Sequence, residues 1–67
     1  MVNKNEAQFS IKALRTNEGM TQEALAQKLE IDRRTVMNWE NNKGPIKQLH
    51  LYALAYLFKV DSDSIRI

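Results

Sequence analysis

The sequence predicts an all-α domain of five short helices, and three observations carry that expectation. Helix-capping residues stand just ahead of segments with helical apolar spacing, and no stretch shows the two-residue alternation of a half-buried strand. Residues 21–41, TQEALAQKLEIDRRTVMNWEN, also hold two short amphipathic patterns joined by a tight connection.

The first helix is expected over about residues 6–17. Asn5 followed three residues later by Gln8 has capping-box spacing, and Phe9, Ile11, Ala13 and Leu14 supply the apolar positions. Glu18-Gly19 ends it. Thr21 suits the N-cap of the second helix, where Leu25 and Leu29 are i,i+4 neighbours; Ala26 beside them leaves room for another helix to approach. Ile31 fills the corner that follows, and Asp32 suits the N-cap of a third helix that should stop near Asn41 and Asn42. Lys43-Gly44-Pro45 is a break. Pro45 is tolerated in the first turn of a fourth helix running through Leu57 or Phe58, and Asp61 can cap a short fifth helix reaching Ile65.

The third helix separates two faces. At about 100° per residue, Arg33, Arg34, Met37, Asn38 and Asn41 share one arc, while Thr35, Val36 and Trp39 fall opposite. One face can pack and the other can read. Two helices joined by a tight turn, the second opening on two arginines, are the means by which a small domain presents a helix to the major groove of DNA.

Composition sets the bounds on function. The chain has 67 residues, enough for one domain with a thin core that association with a second copy would help. It has no cysteine, which removes disulfides, thiolate metal sites and thiol nucleophiles. The net charge of +2 is too small for a binder driven by charge alone. Distribution matters more: Arg33, Arg34, Lys43 and Lys47 lie in a stretch whose one acid is Glu40. The start MVNKNEAQFS has no apolar signal region, and the apolar run ending at Phe58 is too short for a bilayer core of about 30 Å, so a soluble protein is expected.

With these residues in view, the segment LRTNEGMTQEALAQKL followed by IDRRTVMNWENNK resembles the helix-turn-helix of the Cro/C1-type (XRE) family of phage repressors and bacterial regulators. LYALAYLFKVDSDSI is similar to that family's fourth and fifth helices. The match covers nearly the whole chain, and TQEALAQKL with Trp39-Glu40-Asn41 is its most specific part. The resemblance implies a five-helix, lambda-repressor-like DNA-binding domain, the helix-turn-helix formed by helices 2 and 3, in a cytoplasmic protein of bacterial or phage origin.

It also implies roles, residue by residue. Thr21 and Gln22 match positions at the start of the second helix that hold a phosphate, where the helix dipole favours an anion. Lys43 and Lys47 are expected as further phosphate contacts. Arg33, Arg34, Met37 and Asn38 match positions facing base edges: arginine can donate twice to guanine, asparagine can pair with adenine, and methionine can touch a thymine methyl. Arg15 and Glu40 match a structural salt bridge between the first and third helices. Glu30 and Lys59 stand where the family usually has glycine, so strain or an altered backbone is expected at Glu30.

The remaining residues read more plainly. Trp39 goes with the packing face, and His50, with no second histidine or cysteine near it, reads as a solvent-facing helix residue and no metal ligand. Ser10, Ser62 and Ser64 lack a base partner and read as helix or cap residues. No paired carboxylates, no nucleophile with a base and no phosphate loop point to an enzyme; no cofactor or small-molecule ligand is indicated. The expected partner is double-stranded DNA with a near-palindromic operator, bound by a homodimer through the apolar C-terminal region, including Leu57, Ile65 and Ile67. Tyr52 and Tyr56, i,i+4 neighbours in a helix apolar on nearly every side, also suit a subunit interface. The competing class is a protein-interaction module, such as an antitoxin or adaptor gripping its partner with the fourth helix.

Overall fold

A computed structural model describes residues 8–66. Its elements in chain order are β1 (Phe9–Ser10), α1 (Ile11–Asn17), α2 (Gln22–Leu29), α3 (Arg33–Glu40), α4 (Gln48–Phe58), a 3₁₀ turn (Ser62–Ser64) and β2 (Ile65–Arg66). The helices pack around Ile11, Leu14, Leu25, Ala26, Val36, Trp39, Leu51, Leu54 and Ile65, with Leu25, Val36 and Leu54 fully buried.

Helix starts follow the caps. The Ser10 hydroxyl accepts from the Ala13 N–H at 3.0 Å, Thr21 accepts from Ala24 at 3.0 Å, and Asp32 accepts from Arg34 at 2.8 Å. Each satisfies one of the donors that a helix N-terminus leaves without an intrahelical partner.

The helix ends share one device. After α1 the Met20 N–H reaches back to the Arg15 carbonyl, after α2 Ile31 to Ala26, after α3 Lys43 to Asn38, and after α4 Val60 to Ala55, at 2.8 to 3.0 Å. Each six-residue closure needs a left-handed residue just before its donor, and these are Gly19, Glu30, Asn42 and Lys59, with φ of 68°, 58°, 57° and 57°. Met20, Ile31 and Val60, the residues after three of the four, turn back onto the core. The backbone at Glu30 and Lys59 is therefore the one a glycine would adopt. Each side chain there is held in a conformation that costs roughly 1 kcal/mol, offset by the closure bond and the apolar anchor that follows it.

Four sequence expectations are corrected. Among the described residues there are four α-helices, not five: the segment after Asp61 makes only the 3₁₀ turn, then extends into β2. The chain is also not strand-free, because β1 and β2 pair in parallel, with Phe9 opposite Ile65 and Ser10 opposite Arg66. That pairing holds Phe9 and Ser10 extended, so α1 begins at Ile11 with Ser10 as its cap, and the proposed Asn5 cap lies outside the described residues. Finally, α4 begins at Gln48 after the Lys47 N-cap, three residues beyond Pro45. Ile65, expected at a subunit interface, is 4% exposed within the chain's own core. Ile67 lies outside the described residues, and Leu57 is half-buried against the core.

Candidate nucleic-acid interface

The packing of α2 against α3 sets the interface. Val36 and Trp39 point inward, so the opposite side of α3 faces out: Arg33, Arg34 and Asn41 are exposed, and Met37 and Asn38 are half-buried along the same face. Asp32 caps the helix at its outer end, leaving both arginines in the first turn free of ion pairs among the described residues. The structure thus gathers Arg33, Arg34, Met37 and Asn38 on one outward surface. Donors and an apolar contact stand together there, as direct base readout requires.

A polar network ties three helices behind this surface. Arg15 on α1 meets Glu40 at the end of α3 in a two-pronged pair, Nε to Oε2 at 2.7 Å and Nη2 to Oε1 at 3.1 Å. Its Nη1 donates to the Met20 carbonyl at 2.8 Å, and the Gln22 amide donates to Glu40 Oε1 at 3.0 Å. Burial pushes the Glu40 carboxyl up, but the hydrogen bonds from Arg15 and Gln22 and the charges of Arg15 and Lys12 outweigh it, leaving the group below its ordinary value. Arg15 is shifted the other way: its hydrogen bond to Glu40 outweighs burial and holds the guanidinium charged.

Glu40 therefore makes stability depend on pH. Its folded pKa is depressed, so its contribution is fully present above the ordinary carboxylate value and is lost as pH falls through the folded one. Urea unfolding from neutral pH down to the acid range should show stability falling in that window, with a shallower fall for Glu40→Gln. Equal acid slopes for the two proteins would remove Glu40 as the cause.

The phosphate-contact candidates are placed less uniformly. Thr21 is exposed and spends its hydroxyl on the α2 cap, which leaves the backbone at the start of α2 to meet an anion. Gln22 is half-buried with its amide committed to Glu40, so it is held in one position before any ligand arrives. Lys43 and Lys47 are exposed on either side of Pro45 in the loop between α3 and α4. Sequence reasoning missed two further cations: Lys12 and Arg66 line an open cleft of about 330 Å³ with Glu40 and Asn42 at the end of α3. Arg66 is there because β2 pairs with β1, a contact between chain ends that no local signal announces.

His50 also departs from expectation. It is half-buried, its ring 5.4 Å from that of Trp39 at a 53° tilt, so the first turn of α4 rests on the end of α3. Among the described residues no group of three or more histidine or acidic side chains could hold a metal ion, and no helix is long and apolar enough to cross a membrane. A family model described as helix-turn-helix matches residues 11–65. No curated protein and no solved structure matches the chain.

Proposed function

The chain belongs to the helix-turn-helix family of the Cro/C1 (XRE) type, a family of DNA-binding transcription regulators, and from that premise we propose that it binds double-stranded DNA sequence-specifically with α3 in the major groove. The observation that carries the reading is the outward face of α3, where Arg33, Arg34 and Asn38 stand together on a helix whose opposite face is locked into the core. Thr21 and Gln22 at the start of α2, with Lys43 and Lys47 in the following loop, set the register on the phosphates. Two copies act on a near-palindromic operator, their reading helices about 34 Å apart. Such a regulator works in the cytoplasm, where its operator is.

Selection of bound duplexes from random DNA tests the reading and yields the site, its symmetry and its half-site spacing together. On the recovered site Arg34→Ala should cost about 1–3 kcal/mol and relax discrimination at one base pair. Lys43→Ala should weaken binding to all sequences alike and lower the salt dependence by roughly one phosphate contact. Equal losses on specific and random duplexes for Arg34→Ala would remove it as a reader. Enrichment of no sequence at all would favour the protein-interaction alternative.

A further inference from the structure

The open cleft at the end of α3 has no part in the reading above. It holds about 330 Å³, at the lower end of the range for small-molecule pockets, whereas a contact to the DNA backbone needs no such hollow. Its donors come from distant parts of the chain. Lys12 stands in the first turn of α1 and Asn42 just beyond α3, while the ladder sets Ser10 opposite Arg66, so that the two share one side of it.

Charge indicates what the cleft takes. Lys12 and Arg66 are exposed and hold no ion pair among the described residues. The carboxylate in the lining, Glu40, has a side chain only 4% exposed, and its oxygens already accept from Arg15 at 2.7 and 3.1 Å and from Gln22 at 3.0 Å. Arg15 balances that charge, so Lys12 and Arg66 leave the cleft positive. The Ser10 hydroxyl accepts from the Ala13 N–H and keeps its own proton to donate, and the Asn42 amide adds a further donor. A guanidinium fork, an ammonium, a hydroxyl and an amide exceed what the two oxygens of a carboxylate use. They suit a phosphate, whose three terminal oxygens accept from several sides.

The rest of the wall is apolar. Ile11 and Trp39 are 4% and 7% exposed and show part of that remaining surface to the cleft, where a small ring or alkyl group can lie against them. We propose that the cleft binds a small phosphate monoester, its phosphate between Lys12 and Arg66 and its organic part, a ring or a short apolar group, against Ile11 and Trp39. Such a ligand bridges α1, the end of α3 and β2, and it needs neither DNA nor a second copy of the chain. It also stands beside Glu40, the acceptor that positions Gln22.

The test uses the whole chain without DNA and phenyl phosphate as the probe, followed by amide chemical shifts and by the indole N–H of Trp39, the chain's single tryptophan. Saturable shifts at Ser10, Lys12, Trp39, Asn42 and Arg66 are expected, with a dissociation constant in the millimolar range or tighter, as suits a probe of so few atoms. Inorganic phosphate, which lacks the ring, and phenol, which lacks the charge, should each bind at least about fivefold more weakly at equal ionic strength. Lys12→Ala with Arg66→Ala should weaken phenyl phosphate about tenfold or more, whereas Lys28→Ala, which removes another exposed cation on α2, should change it by less than about twofold. A second readout does not depend on the variants folding: phenyl phosphate should raise the thermal midpoint of the unmodified chain above that in phenol or in matched chloride. Inorganic phosphate binding as tightly as phenyl phosphate, shifts scattered over all exposed lysines and arginines, or equal weakening by Lys28→Ala would reduce the cleft to counterion binding and overturn the proposal. Loss of affinity for duplex DNA in the double variant, with no response of the unmodified chain to phenyl phosphate, would also overturn it and give Lys12 and Arg66 to the DNA backbone.

Discussion

Glu40→Ala is expected to cost about 3–5 kcal/mol of folding free energy, read as a fall in the urea midpoint at neutral pH. The magnitude follows from what remains behind. The Arg15 side chain is only 11% exposed, and without Glu40 it keeps its charge with the Met20 carbonyl as its one remaining partner in the network. Gln22 loses its acceptor in the same step. A domain this small has a total stability near the lower end of about 5–15 kcal/mol, so the variant should be largely unfolded at physiological temperature. Replacing both partners, Arg15→Met with Glu40→Met, should recover most of the loss, because the desolvation cost of the charges disappears with them. A loss below about 1 kcal/mol for Glu40→Ala would show that water screens the pair as it would at a surface.

Trp39→Ala should be comparably damaging, about 3–5 kcal/mol, because it empties a site 7% exposed where α3 meets the core and His50. It also separates two roles that a tryptophan on a helix proposed to read DNA could have. If Trp39 only packs, Trp39→Phe keeps most of the contact area, loses part of the stability and leaves site affinity nearly intact once the protein is folded. If it stacked on a base, Trp39→Phe would lower affinity out of proportion to stability. Thermal unfolding and DNA titration of the two variants, done side by side, distinguish these outcomes.

The middle of the chain was the most legible. α2 and α3 begin and end close to where Thr21, Asp32 and Asn41 place them, since caps and helical periodicity are local signals that packing here reinforces. The two faces of α3 followed from the same periodicity: Val36 and Trp39 are buried and Arg33 and Arg34 are exposed. The ends misled for a physical reason. Phe9, Ser10, Ile65 and Arg66 are extended because each pair supplies the other's backbone partners, and neither segment carries strand character by itself. His50 was misread because its neighbour, Trp39, comes from another helix. The glycine-like positions at Glu30 and Lys59 were seen as departures, but the apolar residue just after each, Ile31 and Val60, is what makes the left-handed turn worth its strain.

The parallel ladder between β1 and β2 bears on the order in which the molecule assembles. Its partners, Phe9 and Ile65, are separated by nearly the whole described chain, whereas α2 and α3 meet across a few residues. Closing so long a loop carries a large entropic cost that two residue pairs do not repay alone, so the ladder can form only after the helices have already brought the two ends together. It is expected to form late in folding and to open early in the native molecule, which faster amide exchange in β1 and β2 than in α2 and α3 would show. On the same argument Ser10, the cap of α1, and Arg66, at the cleft by the end of α3, are expected to be the last groups to reach their places and the first to leave them.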